Sequence, residues 1–168
     1  MHIFDPKFNA KSLMYYLVQT AIATAFMFLT FLVLNQLVQL VVVAALGSSA
    51  FTVFSMPHRH RSKARYVVGS HLACLATGSL LRLLVHNWLA HQIHMTSTVE
   101  TMVACSLAVG ASLFVMAIAD LEHPPAAGTA MGTAVADFSI EVAVTVALGA
   151  TMLSIGRFLL RRWLKDLA

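Results

Sequence analysis

Apolar residues fall in six blocks along this chain, at 13–34, 37–56, 66–84, 98–118, 124–138 and 142–160, with short polar joints between them. Most blocks are close to the roughly 20 residues a helix needs to cross a bilayer, and the fifth is shorter. Each predicts a helix. The first block is long and has no small-residue cleavage site behind it, which makes it a membrane span and not a signal peptide.

One stretch breaks the pattern. Residues 120–131 read DLEHPPAAGTAM, with two acids, a histidine, two prolines and a glycine inside otherwise apolar sequence. Pro124 and Pro125 remove two backbone donors and disfavour helix at the residues before them, so carbonyls near Glu122 and His123 need other partners. Interrupted helices of this kind are where membrane transporters place their binding sites.

Composition fits the pattern. Hydrophobic residues make up 59% of the 168 and charged residues 11%, far from the quarter or so charged in soluble domains. The formal charge of +4 does not point to nucleic acid, because the basic residues sit where membrane orientation is set. Lys7 and Lys11 precede the first block, Arg59, Arg61, Lys63 and Arg65 fill the second joint, and Arg157, Arg161, Arg162 and Lys165 close the chain. All three clusters belong on the cytoplasmic side by the positive-inside rule. That requires six crossings, with both termini inside and the His-rich stretch 87–97 outside. A five-crossing alternative lets the 120–131 segment dip in and return, leaving the basic tail outside. Cys74 and Cys105 lie within apolar blocks and read as packing residues, not a disulfide pair.

A shift of 81 positions places Ala45, Gly47, Ser48 and Thr52 over Ala126, Gly128, Thr129 and Thr133, and span one over span four. Three crossings per half would give the halves (12–88 and 97–163) opposite orientations, the inverted-repeat plan of many transporters. Gly47 to Ala50 and His123 to Ala130 would then be facing breaks near the midplane. The alternative is that Ala-rich segments match one another by chance. The fold class expected is a single all-α polytopic membrane domain of about six transmembrane segments, two of them short or broken, arranged as a 3+3 inverted repeat.

Small residues at Gly47, Ser48 and Ser49 either let helices pack closely or offer donors to a ligand. Gly128 and Thr129 have the same character in the second block. Pro124 and Pro125 suit a helix start, where free N–H groups and the dipole would attract an anion. His123 either caps the break or handles a proton or substrate. His71, one to two turns into the third span, is either a satisfied interhelical bond or a site residue. Asp120, Glu122 and Arg65 are headgroup-level charges or, if buried, proton-carrying or gating groups. Arg82 can snorkel and is given an orienting role only. His91 and His94 share a helical face and with His86 form the one loose pattern for a divalent metal, although interfacial polarity beside Trp88 explains them as well. Asp137 and Glu141 read as solvated turn charges. No phosphate loop, nucleophile elbow or carboxylate pair is present, so neither an enzyme nor a bound cofactor or metal is expected.

These residues together resemble the HPP family of integral membrane proteins, named for the motif matched by His123, Pro124 and Pro125. The run Leu46, Gly47, Ser48, Ser49, Ala50 with the apolar stretch to Pro57 resembles the family's first small-residue block. Arg65-Tyr66-Val67-Val68-Gly69-Ser70-His71 resembles its Arg-rich entry to the next span, and Ala108-Val109-Gly110 the segment before the signature. The likeness covers roughly residues 40–135. Ser70 stands where glycine is common, and Pro124-Pro125-Ala126-Ala127-Gly128-Thr129-Ala130 places its glycine one residue later than the usual signature. Members have been described with about four spans, and some are implicated in nitrite transport in cyanobacteria and chloroplasts.

The resemblance implies a permease for a small inorganic anion, nitrite first, in a bacterial inner membrane, and self-association as a homo-oligomer is expected. Ser48, Ser49, Thr129, His71 and His123 would supply the donors. Two competitors stay open: a non-transporting oligomeric scaffold or sensor, and a divalent-metal permease using His86, His91 and His94.

Overall fold

Four of the apolar blocks become helices long and apolar enough to cross a membrane, and the other two become shorter ones. A computed structural model describes residues 10–34, 40–135 and 138–167. Its helices are α1 (Ala10–Leu34), α2 (Leu40–Ser55), α3 (Ala64–Leu84), α4 (Ser97–Ile118), α5 (Ala127–Val135) and α6 (Ile140–Leu160), and there is no strand among the described residues. Single 3-10 turns lie at His60–Ser62 and Pro124–Ala126. Lys7 and Asp137 lie outside the described residues, as does the side chain of Lys11.

Local chemistry sets the boundaries. The Thr96 hydroxyl accepts from the Val99 N–H at 3.4 Å to open α4, and Ser139 accepts from the Glu141 N–H at 3.2 Å to open α6, each a side-chain cap on an otherwise orphaned donor. Helix α4 ends with Asp120 in the left-handed region (φ 50°). The Leu121 N–H then donates back to the Met116 carbonyl at 2.9 Å, the six-to-one bond of a Schellman ending. Ser70 donates to the Leu121 carbonyl and fastens that end to α3.

Helix α3 does not stop at Leu84 as the hydropathy predicts. It continues through a π turn, Val85–Leu89, into one more turn, Ala90–Gln92. The extra residue of a π turn re-aims the side chains that follow it.

Two cores flank α3. One joins α1, α2 and α6 through Leu46, Val53, Phe54, Ala150 and Leu153. The other, between α3, α4 and α5, is built mainly from Ala104, Ala108, Ala126, Ala130 and Ala134. Alanine and glycine bring backbones close where lipid supplies no hydrophobic drive. At Gly78 an added Cβ would collide with the Ala130 carbonyl and the Thr133 hydroxyl.

The principal packing pairs are α1 with α2 and α6, α2 with α5 and α6, α3 with α4, α5 and α6, and α4 with α5. Under the 81-position shift these pairs exchange with one another: α1·α2 becomes α4·α5, α1·α6 becomes α4·α3, and α2·α6 becomes α5·α3. Gln19 and Glu100 also exchange. Gln19 bonds to the Phe54 carbonyl at 2.8 Å and to the backbone of Lys165, just past α6. Glu100 bonds to Arg82 and His86, at the end of α3 and just past it. Each half thus ties its first helix to the end of the other half's third.

The described basic clusters share one end of the bundle. The His58 N–H donates to Asp166 at 3.0 Å, Arg59 approaches Asp166 at 3.9 Å, and the Arg157 guanidinium donates to the Pro57 carbonyl at 2.6 Å. From that end the segment after Leu121 runs beside α3, from Ser70 to Gly78, and the 21-residue α6 returns with Arg157 in its last turn. The segment thus lies alongside α3, and α5 itself has only nine residues.

Candidate functional site

Ser49, His71, His123 and Thr129 are each fully buried. They come from α2, α3, the break before Pro124, and α5. His71 lies seven residues inside α3 and Ser49 six from the end of α2, so the cluster sits roughly 10 Å below the basic end at 1.5 Å per residue.

The four make one continuous hydrogen-bonded chain. Thr129 Oγ1 is 2.7 Å from His71 Nδ1, and His71 Nε2 is 2.7 Å from Ser49 Oγ. Ser49 Oγ is 2.9 Å from His123 Nε2, and His123 Nδ1 is 2.9 Å from the carbonyl oxygen of Arg61. That carbonyl has no proton to give, so the last bond must run from His123 N–H to Arg61. In the neutral chain this fixes every other bond: the Thr129 hydroxyl donates to His71, His71 Nε2–H to Ser49, and the Ser49 hydroxyl to His123. His71 is then the Nε2–H tautomer and His123 the Nδ1–H tautomer. Every polar hydrogen in the chain is committed.

Sequence reasoning put nine residues in this site, and the structure brings four of them together. Ser48 is exposed, and its carbonyl accepts from the Thr52 hydroxyl at 3.2 Å. Gly47 faces a cleft of about 770 Å³ between α1 and α2, lined also by Gln19, Thr24, Phe51 and Leu167. Helix α2 stands between this largely apolar cleft and the histidines. Gly128 packs toward Ala45, where an added Cβ would come within 3.0 Å.

Two expectations are corrected. Helix α2 is short but unbroken through Gly47, Ser48 and Ser49, since a helical glycine costs only about 1 kcal/mol; the facing pair of breaks is not there. The helix start at Pro124 and Pro125 also keeps no idle donors in its first turn. The prolines have none, the Ala126 N–H donates to His123 and the Ala127 N–H to Pro124 and Pro125. What Pro124 does is keep His123 out of the helical region (φ −133°, ψ 87°), which a following proline disfavours.

Asp120, Glu122 and Arg65 form a rim at the basic end. Arg65 lies 3.6 Å from Asp120, Arg61 3.3 Å from Glu122, and the Tyr66 hydroxyl donates to Asp120 at 3.3 Å. These side chains are exposed, and such pairs contribute about 0–1 kcal/mol each. Their link to the chain is Arg61, whose backbone holds His123 while its side chain meets Glu122.

At the opposite end Arg82 is not merely an orienting charge. It lies 2.7 Å from Glu100, both side chains nearly covered, and His86 Nδ1 is 2.9 Å from the same oxygen. The rings of His86 and His91 are 6.4 Å apart. His86, His91 and His94 do not assemble, and no group of three His, Cys, Asp or Glu residues suited to a metal occurs among the described residues. Cys74 and Cys105 are free thiols.

The model of the HPP transmembrane region matches residues 6–165. No curated protein and no solved structure matches the chain significantly.

Proposed function

The chain belongs to the HPP family of transmembrane proteins, and on that footing we propose that it is a permease for a small inorganic anion, nitrite first, and not an enzyme. The observation that supports this reading is the convergence of the motif's own His123 with Ser49, His71 and Thr129 in one buried chain. Ionisable side chains such as imidazoles are costly inside a membrane and mark substrate or proton pathways there. A monovalent anion needs few donors, and these four residues supply them when a bond of the chain turns from its neighbour to the ligand. The exchange of packing pairs under the 81-position shift supports two inverted halves moving against each other around this chain.

The basic end faces the cytoplasm in this reading, with the protein in a bacterial inner membrane and assembled as a homo-oligomer. The test is thermal unfolding of the purified protein with nitrite, nitrate, formate or chloride. Nitrite should raise the melting temperature, since a ligand that binds only the folded state stabilises it, and His123→Ala should abolish the shift. No shift from any anion would count against the reading.

The saturation of the chain favours one competitor, a non-transporting oligomeric scaffold, because a structural polar core would be closed in the same way. Thr129→Val separates the two: a permease loses anion handling with assembly intact, and a scaffold loses assembly.

A further inference from the structure

In the neutral chain the inner end is closed to anions. The only hydroxyl hydrogen of Thr129 is spent on His71 Nδ1, so Thr129 can offer a ligand nothing but lone pairs. The direction is dictated from the far end, where the Arg61 carbonyl accepts from His123. Reversing the first bond therefore requires one more proton somewhere along the chain.

Resting on the permease reading, we propose that this is a proton-armed anion site, in which uptake of one proton reverses the bond between His71 and Thr129 and releases the Thr129 hydroxyl to donate to a small monovalent anion. The balance is simple. A proton arriving at Thr129 Oγ lets Thr129 pass its own hydrogen to His71 Nδ1, His71 pass its Nε2 hydrogen to Ser49, and Ser49 pass its hydrogen to His123 Nε2. His123 becomes the imidazolium, still donating to Arg61. His71 Nδ1–H now donates to Thr129, whose new O–H is free. If the charge rests on His71, with both ring nitrogens donating, the Thr129 hydrogen is freed equally.

With ring centroids 5.6 Å apart, the two imidazoles carry one charge far more cheaply than two. Helices α2 and α5 bring no titratable side chain to the chain. Helix α3 adds Cys74 one turn beyond His71, and α6 has only Glu141 and Arg157, at its two ends. Helix α4 carries Glu100, paired with Arg82 at the opposite end, and Cys105, and the near rim holds the pairs of Arg61 with Glu122 and Arg65 with Asp120. Proton and anion then enter or leave together, so that no net charge is moved, and by linkage each raises the other's affinity equally.

The test is calorimetric titration of nitrite into the purified full-length protein near pH 7 in two buffers of different ionisation enthalpy, which counts the protons taken up. About one proton per nitrite is expected, with nitrite binding and its proton uptake lost together in Thr129→Val and restored together in Thr129→Ser. Nitrite binding with no proton uptake would overturn the inference and leave the permease reading standing. If nitrite does not bind, that reading falls, and histidine ¹⁵N NMR judges the chain by itself. His71 as Nε2–H and His123 as Nδ1–H at neutral pH, with one proton taken up between them on acidification, supports it; His71 as Nδ1–H overturns it.

Discussion

His71 and His123 share no direct hydrogen bond, yet one hydroxyl joins them: Ser49 Oγ lies 2.7 Å from one imidazole nitrogen and 2.9 Å from the other. Ser49→Ala would leave two buried ring nitrogens without partners in one step. An unsatisfied buried polar group costs about 1–3 kcal/mol, so the variant should melt well below wild type in micelles. Ser48→Ala, changing an exposed neighbour, should melt with wild type. Equal melting of the two variants would show that the chain is not closed through Ser49.

Gly78 and Gly110 make a contrasting pair. A methyl group at Gly78 meets the Ala130 backbone, whereas one at Gly110 meets open space. Gly78→Ala should destabilise by about 1–3 kcal/mol through overpacking of the α3–α5 seam. Gly110→Ala should be neutral or stabilising by up to about 1 kcal/mol from helix propensity. Unfolding of the two variants in one detergent checks both.

The reach of sequence reasoning differed from residue to residue. Ser49, His71, His123 and Thr129 stood out as polar residues inside apolar blocks, and Pro124 with Pro125 marked the break. Nothing in a sequence separates Ser48 from Ser49, because which neighbour faces inward depends on how α2 is rotated. The Arg61 carbonyl was invisible for a plainer reason: a backbone acceptor has no residue type. Arg82 and Glu100 are 18 positions apart, and the π turn that carries His86 to the same oxygen leaves no mark in hydropathy. The break expected at Gly47 failed because small residues permit a bend without requiring one.

The Arg82–Glu100 pair is close and largely covered. Removing one partner strands a charge, which costs about 3–5 kcal/mol at buried pairs, whereas replacing both with apolar residues is often neutral. Glu100→Leu should therefore destabilise strongly, and Arg82→Met with Glu100→Leu should recover much of the loss. A double variant no better than the single would mean the pair does not act as a unit.

Asp166 reaches the loop that carries His58 and Arg59. With Cys74 and Cys105 replaced, single cysteines at positions 59 and 166 should be labelled by an impermeant maleimide from the same side of the membrane, and only after the cytoplasmic face is opened. Labelling from opposite sides would contradict the crossing of the His123 segment.

The most direct test of the central claim is nitrite flux into liposomes carrying the purified protein, with wild type compared against His123→Ala, Ser49→Ala and Ser48→Ala at matched reconstitution. Saturable wild-type flux, retained by Ser48→Ala and lost from folded His123→Ala and Ser49→Ala, is the predicted result. Flux that survives in both of the latter, or no flux from folded wild type under inward and outward pH gradients, would contradict an anion path through the buried chain.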